Sequence, residues 1–182
     1  MKFIPQSISD VILIEPTVHG DDRGYFMESF KQDAFEDAIG YVINFIQDNE
    51  SKSSKGVVRG LHYQLPPYTQ AKLVRVIKGS VLDVAVDIRQ NSDTFGQHVS
   101  LLLSEENKKQ LFIPKGFAHG FVALSEEAIF SYKVDNYYTP QHEQSIIWND
   151  QDLDIDWQFN GKSLFSSTKD NRGVVFKNAT YL

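Results

Sequence analysis

Residues 81–89 read VLDVAVDIR, and their side chains change character in steps of two. Successive side chains of a β-strand point to opposite faces, so this period predicts a strand. One face carries only apolar side chains, which are Leu82, Val84, Val86 and Ile88. The other face carries Val81, Asp83, Ala85, Asp87 and Arg89. The stretch therefore predicts a strand that is buried on one face and chemically mixed on the other.

The mixed face of this strand decides the environment of Asp83. If that face lines the inside of a barrel, the carboxylate needs a partner, because an unpaired buried charge is costly. If the face is exposed, Asp83 is an ordinary surface carboxylate. The stretch alone is compatible with both environments.

Short runs of strand-forming residues recur along the chain, separated by Gly, Pro, Asn and Asp. They lie at 11–14, 24–30, 42–47, 57–64, 72–77, 98–103, 109–113, 120–123, 129–136 and 146–148. One short helix is predicted at 32–39, where Gly40 provides a stop signal. The runs lie too close together for repeated crossover helices, so the pattern favours a mainly antiparallel sandwich or barrel.

Length and composition indicate one soluble globular domain. The 182 residues are 41% hydrophobic, 23% charged and 13% aromatic, which excludes a disordered, collagen-like or coiled-coil chain. The chain contains no Cys, which excludes a disulfide framework, a thiol nucleophile and a cysteine zinc site. Its N-terminus does not resemble a signal peptide, and no run approaches about 18 consecutive apolar residues. We therefore expect a cytoplasmic protein without a membrane segment.

Charge is unevenly distributed along the chain. Residues 51–82 contain six Lys or Arg side chains and no Asp or Glu, although the net charge of the whole chain is -6. This contrast favours a basic pocket for a small anionic ligand on an acidic protein. A nucleic-acid partner is not expected, because such proteins more often have a pI above about 9. The alternative is a solvated basic surface.

His62 lies within this basic segment, in the run RGLHYQ at 59–64. Strand alternation places it on one face with Gly60 and Gln64. A single histidine on a strand often has only a structural role. Because Arg59 precedes it and Lys72 and Arg75 follow in the same acid-free stretch, His62 is also a candidate base beside a bound anion.

The segments RGLHYQ at 59–64 and PKGFAHGF at 114–121 together resemble the paired motifs of the cupin superfamily, whose fold is a small jelly-roll β-barrel. The matching positions are His62, Gln64, Lys72, Gly79, Pro114, Gly116 and His119. Two of the four metal ligands expected in cupins are thereby replaced, one by the Gln64 amide and one by the Lys72 ammonium. A protonated amine repels a cation and has no free lone pair. We therefore expect no metal site, and a barrel interior suited to an oxyanion.

Seven segments narrow the resemblance to one family. They are DRGYFMESF at 22–30, QDNESKS at 47–53, RGLHYQ at 59–64, KLVRV at 72–76, DVAVDIR at 83–89, IPKGFAHGF at 113–121 and WND at 148–150. In this order and spacing they resemble the dTDP-4-dehydrorhamnose 3,5-epimerases over about residues 1–172. The resemblance implies a single all-β domain over 1–182, a cupin-type jelly-roll barrel of mainly antiparallel strands with a few short helices.

The resemblance also implies an activity. Members of this family epimerise a nucleotide-linked 4-keto-6-deoxy sugar at C3 and C5 without a cofactor. By their match to the family motifs, His62 is the expected base and Asp170 the carboxylate that orients it. Tyr132 matches the proton donor, and a phenol is acidic enough to protonate an enolate carbon. Lys72 is expected to stabilise negative charge on O4 of the sugar.

Further positions match the residues with which the family binds its substrate. Arg23 and Arg59 match the cations of the diphosphate site, and Tyr138 matches an aromatic residue that stacks on thymine. The other substrate-binding candidates are Gln47, Asn49, Phe26, Glu28 and His119, with Asp83 as the expected support of His119. The resemblance places Arg23, Phe26 and Glu28 in the site of a neighbouring subunit, so it implies a homodimer with shared active sites.

The resemblance leaves alternative functions open. Relatives on the same scaffold epimerise only C3 or only C5, or isomerise the keto group. A cupin that binds a sugar nucleotide without catalysis is a different class of explanation. Such a module has no need for a base, an acid and an oxyanion stabiliser together, so the enzyme is the favoured interpretation.

Overall fold

Thirteen β-strands and one α-helix form within residues 1–159, 161 and 163–182, the residues that the computed structural model describes. The strands are β1 (Lys2–Pro5), β2 (Ile12–Glu15), β3 (Val18–Asp21), β4 (Gly24–Met27), β5 (Gln47–Ser54), β6 (Val58–Gln64), β7 (Lys72–Lys78), β8 (Ser80–Asp87), β9 (His98–Ser104), β10 (Gln110–Ile113), β11 (Phe117–Ala123), β12 (Glu127–Val134) and β13 (Glu143–Ser145). The helix α1 spans Gln32–Ile39, and short 3-10 turns lie at Pro140–His142, Asp170–Arg172 and Phe176–Asn178. In this part of the chain, none of the helical segments has the length and apolar character needed to cross a membrane.

The strands form two large sheets and one hairpin. One sheet has six strands in the order β1-β2-β10-β7-β12-β5, and the other has five in the order β13-β6-β11-β8-β9. Strands β3 and β4 form the separate hairpin. The strand pairs in all three are antiparallel. The predicted mainly antiparallel all-β architecture is therefore confirmed.

The main core lies between the two large sheets. Val74 on β7 and Phe130 on β12 face Ala85 on β8 and Phe121 on β11, and each is at most 4% exposed. The mixed face of β8 is thus the barrel interior, as one of the two sequence interpretations requires. Asp83 is 0% exposed on this face, so the interpretation as a surface carboxylate is wrong.

The outer face of the five-stranded sheet carries a second core. The apolar face of β8, from Leu82 to Ile88, packs there against the C-terminal part of the chain. Ile146, Leu153 and Trp157 supply buried side chains to this layer. Each fully buried Val, Leu or Ile contributes about 1.5–3 kcal/mol to folding, so β8 is stabilised from both faces.

The predicted helix is confirmed as α1. It covers the outer face of the six-stranded sheet and buries Phe35, whose ring lies 5.0 Å from that of Phe112 on β10 in an edge-to-face arrangement. The helix ends at Gly40, which adopts a left-handed conformation with φ of 82°. Gly adopts this conformation without the steric cost of a side chain.

Two strand predictions are wrong. Residues 42–46 lie outside the strands, and β5 begins only at Gln47 and continues through a wholly polar run to Ser54. This strand is held by its backbone ladder to β12, so it does not need apolar side chains. Residues 146–148 are also not a strand, because the chain pairs with β6 three residues earlier, at Glu143–Ser145.

Candidate active site

A cavity of about 320 Å³ opens between the two large sheets. Its wall includes seven of the residues that the sequence singled out, which are Gln47, Asn49, His62, Gln64, Lys72, Tyr132 and Tyr138. Strands from both sheets therefore supply side chains to one space. Strand register sets the positions of all but Tyr138, which lies in the irregular segment after β12.

His62 lies on β6, which packs closely against β11. His62 and His119 are register partners across these strands. A Cβ on Gly60 would lie 2.5 Å from the Cα of Gly120, so only Gly allows the two backbones to approach this closely. Gly60 also has a φ of 135°, which side-chain-bearing residues rarely adopt. The two glycines thus set the spacing of the histidine strands.

His62 and Asp170 form a hydrogen-bonded pair. The Nε2 of His62 lies 2.5 Å from Oδ1 of Asp170, and the other carboxyl oxygen accepts a hydrogen bond of 2.9 Å from Ser167 Oγ. Burial disfavours the charged form of Asp170, but the bonds from His62 and Ser167 outweigh this and hold its pKa below the usual range. An ionised carboxylate only accepts hydrogen bonds, so Nε2 carries the proton and Nδ1 is left as the basic nitrogen.

Lys72 places a buried amine on the cavity wall. Its side chain is 8% exposed, and Nζ lies 3.4 Å from the carbonyl oxygen of His62. Burial lowers the pKa of this amine from 10.5 to about 8, although the charges of Asp83 and Glu143 partly oppose the shift. At neutral pH the amine is therefore still an ammonium, in a place where water is largely excluded.

His119 and Asp83 form a second pair, deeper in the barrel. Nε2 of His119 lies 2.9 Å and 3.1 Å from the two carboxyl oxygens of Asp83. Burial lowers the pKa of His119, and the Asp83 charge only partly offsets this. The predicted contact between these residues is present. His119 is 7% and Asp83 0% exposed, and within the described residues neither is part of the cavity wall, so the pair suits a supporting role better than direct contact with a ligand.

Tyr132 contributes a protonated phenol to the cavity. It lies on β12 opposite Asn49 of β5. Burial raises the pKa of Tyr132, and the charge of Glu143 adds to this shift while that of Arg59 opposes it. The hydroxyl therefore keeps its proton at neutral pH and above. A buried, protonated hydroxyl is suited to donate a proton.

Arg59 and the polar strand β5 lie at the edge of the site. The Arg59 guanidinium donates hydrogen bonds to Ser53 Oγ at 2.9 Å and to the Lys52 carbonyl at 3.1 Å. On the cavity side of β5, Gln47 Nε2 donates a hydrogen bond of 2.8 Å to Asn49 Oδ1. These groups form a polar, partly cationic rim.

The cavity also contains residues that the sequence reasoning missed, above all Glu143 and Lys169. Oε2 of Glu143 accepts hydrogen bonds from the Tyr138 hydroxyl at 2.6 Å and from Lys169 Nζ at 2.5 Å. The other two are Tyr63 and Gln70. Lys169 directly precedes Asp170, which was a usable signal, whereas the sequence around Glu143 offered none.

Within the described residues, the cavity wall does not include Arg59, Asp83, His119 or Asp170. Two further parts of the prediction lie elsewhere. Arg75, expected beside His62 as part of the basic segment, instead lines a separate pocket, with Ser131 and Lys133 of β12. It follows Lys72 by three residues, and an odd number of steps along a strand reaches the opposite face. Arg23, Phe26 and Glu28 lie on or directly after the exposed hairpin β3–β4, where they line two other pockets, of about 390 Å³ and 140 Å³.

Comparisons of this sequence with known proteins identify its family. A family model described as dTDP-4-dehydrorhamnose 3,5-epimerase matches residues 5–178. A relative of that name from Shigella flexneri is 54% identical over 181 residues, covering 100% of this chain and 99% of the relative. One from Pseudomonas aeruginosa is 54% identical over 179 residues, covering 98% of each chain.

Solved structures agree with the sequence relatives. The chain superposes with a TM-score of 0.95 on a dTDP-6-deoxy-D-glucose-3,5-epimerase from Legionella pneumophila in complex with dTDP-4-keto-L-rhamnose, at 49% identity over 98% of this chain and 94% of that one. With an enzyme of the family from Elizabethkingia anophelis, the TM-score is 0.94 at 50% identity, covering 100% and 99%. The predicted cupin-type jelly roll is thereby confirmed. The chain belongs to the dTDP-4-dehydrorhamnose 3,5-epimerase family.

Proposed function

We propose that this protein converts dTDP-4-dehydro-6-deoxy-D-glucose to dTDP-4-dehydro-L-rhamnose by epimerising C3 and C5. One observation carries this proposal: the His62–Asp170 pair shares a cavity with a protonated phenol, Tyr132, and a buried ammonium, Lys72. Inversion of a carbon beside a ketone needs a base, a group that stabilises the enolate, and an acid on the opposite face of the ring. The cavity provides all three.

His62 begins the reaction. Its Nδ1 takes the proton from the carbon next to the C4 ketone, and the C–H electron pair moves into the enolate with the charge on O4. Asp170, hydrogen-bonded at Nε2, stabilises the imidazolium that results. The Lys72 ammonium stabilises the enolate oxygen in a site that holds little water.

Tyr132 completes the inversion. Its phenol donates a proton to the enolate carbon from the ring face opposite His62, and the phenolate recovers a proton from solvent. The enolate collapses to the ketone, and the carbon has the opposite configuration. Because C3 and C5 both flank the ketone, the same groups serve both centres once the ring has turned in the site. The His62 imidazolium releases its proton to solvent, so base and acid are both restored before the second centre reacts.

The rest of the site suits a nucleoside diphosphate. We assign Arg59 to the diphosphate, because a guanidinium fork matches phosphate oxygens. The half-exposed ring of Tyr138 on the cavity wall offers a face for thymine. Gln47 and Asn49 add hydrogen-bonding groups on the same side.

A second copy of the chain is part of this proposal. Phe26 is 67% exposed on its hairpin, and Arg23 is paired only with the exposed Asp21 within the described residues. A large exposed aromatic beside a cation is typical of a surface that binds a partner. We assign these two residues and Glu28 to the nucleoside end of the neighbouring active site, in a homodimer of single-domain chains.

Deuterium exchange tests the proposal directly. The purified, chelator-treated protein is incubated in D2O with dTDP-4-dehydro-6-deoxy-D-glucose, and NMR follows C3 and C5. We expect deuterium at both carbons and formation of the L-rhamno product. Exchange and inversion at one carbon would identify a single-centre epimerase. Binding without exchange at either carbon would leave a non-catalytic binding protein and refute the proposal.

A further inference from the structure

The side chain of Gln64 makes three hydrogen bonds while only 4% exposed. Its Nε2 donates to the carbonyl oxygens of Tyr68 at 2.7 Å and Tyr137 at 3.2 Å, and its Oε1 accepts from the backbone N–H of Thr139 at 2.6 Å. Both N–H groups of the amide are therefore used, and one acceptor lone pair is occupied.

Two of the three backbone groups that Gln64 binds, the Tyr137 carbonyl oxygen and the Thr139 N–H, flank Tyr138 in the chain. Tyr137 and Thr139 precede and follow it in an irregular segment between β12 and the 3-10 turn Pro140–His142. An irregular segment has no ladder to fix its backbone, so side chains must satisfy and hold its polar groups. Gln64 does this on both sides of one residue.

We propose that Gln64 is a positioning residue whose side-chain amide clamps the backbone on both sides of Tyr138 and so holds the Tyr138 ring on the cavity wall. The opposite end of that ring is fixed by the bond of 2.6 Å from its hydroxyl to Glu143. The ring is thus held at its backbone and at its tip, and it lines the cavity together with Lys169.

The chemistry at this position explains why an amide suits the role. Two carbonyl oxygens and one N–H point at the same side chain, and only an amide offers two donors and an acceptor in a short planar group. A carboxylate in this place would face two carbonyl oxygens without a hydrogen to donate. In the cupin motif this position supplies a metal ligand, whereas here its polar atoms serve the backbone of two loops.

Hydrogen exchange in the free protein tests the clamp without any ligand. In Gln64→Met, a side chain of similar length, we expect the exchange rate of the Thr139 amide to rise at least about 10-fold, because its acceptor is lost. The Ala71 amide is the internal control. It joins the same two loops by donating to Asp135 Oδ1 at 2.7 Å, so its rate should stay within about twofold if the fold is intact.

The conservative variant Gln64→Glu distinguishes loss of the clamp from a general loosening of the fold. Gln64→Glu keeps an oxygen that accepts from Thr139 N–H, so the amide should be more protected than in Gln64→Met. Equal protection of Thr139 in the wild-type protein and in both variants would overturn the proposal. A parallel loss at Ala71 in both variants would also overturn it, because the effect would then be global.

The expected effect on nucleotide binding rests on the proposed function, and it is measured with dTDP. We expect Gln64→Met to raise the Kd of dTDP about 10-fold and to leave kcat within about threefold. In the Tyr138→Ala background the same change should alter Kd less than about twofold, because the residue acts through that ring. An undiminished effect in that background would contradict the clamp. If the exchange result holds but the wild-type protein does not bind dTDP, the proposed nucleotide site is wrong and the clamp stands.

Discussion

The carboxylate of Asp170 is hydrogen-bonded to the imidazole of His62 at 2.5 Å, although 108 residues separate them in the chain. The histidine comes from a central strand of the barrel and the aspartate from a 3-10 turn near the C-terminus. Ser167 holds the second carboxyl oxygen, so the carboxylate has a fixed orientation. The basic nitrogen of His62 is thereby directed away from Asp170.

Asp170→Asn should lower kcat at least about 100-fold with little change in KM. The amide cannot stabilise an imidazolium, and it does not enforce the required tautomer. Initial rates of deuterium entry at C5 measure the effect. Ser167→Ala is the matched control, because it removes one bond to the carboxylate and keeps the charge, so its loss should be about 10-fold or less. A wild-type kcat in Asp170→Asn would remove the pair from the mechanism.

The pH profile of kcat should fall as the pH rises through about 8. The lowered pKa of Lys72, about 8, means that the ammonium is lost across this range, and with it the charge opposite O4. Lys72→Met should lower kcat about 100- to 1,000-fold, as the loss of an oxyanion donor does elsewhere. In this variant the fall near pH 8 should also disappear. If the alkaline limb persists unchanged, a different group controls it.

Tyr132→Phe should separate exchange from inversion. His62 can still remove a proton and return a deuteron to the same ring face, but the phenol that protonates the opposite face is gone. NMR in D2O should therefore show deuterium in the recovered substrate at a rate within about 10-fold of wild type, with product formation at least about 100-fold slower. Product formation at the wild-type rate would exclude Tyr132 as the proton donor.

Mixed dimers test whether the active site is shared. Arg23→Ala alone should raise KM about 10-fold with kcat nearly unchanged, because it removes a phosphate contact. His62→Ala alone should be nearly inactive. If Arg23 serves the neighbouring site, co-refolding equal amounts of the two variants restores one complete site in each mixed dimer, or about a quarter of all sites.

The assay for this experiment is the rate at low substrate concentration, where intact sites dominate. Separately folded variants that are combined without exchange of subunits provide the control. A rate equal to the average of the two parents would show that Arg23 does not complete a site in trans.

The central strands were predictable because burial imposes a strict pattern on them. The side chains of β8 meet a core on both faces, so its alternation predicted the strand and the face on which Asp83 lies. That this face is the barrel interior followed only from the structure, in which Asp83 is 0% exposed. The motif around His62 was readable for the same reason. It lies on β6, where Leu61 packs outward and His62 and Gln64 face the cavity.

Apart from the pairs that the family resemblance implied, contacts between distant segments were not predictable. Strand β5 has no apolar period, because its side chains face a polar cavity and solvent, and its ladder to β12 leaves no trace in composition. Glu143 gains its role from Tyr138 and Lys169, which reach it only in the folded chain. The position of Arg75 was wrong because the charge of a segment does not show which face of the strand carries each side chain.

The C-terminal part of the chain packs on the outside of the five-stranded sheet. We expect catalytic activity to appear only after this part has docked during folding. This layer joins Ile146, Leu153 and Trp157 to strands far earlier in the chain, and such long-range contacts are slow to form. The turn that carries Asp170 lies within the same segment. A refolding barrel can therefore regain strand structure before it regains catalysis, so the return of activity marks the docking of the last segment.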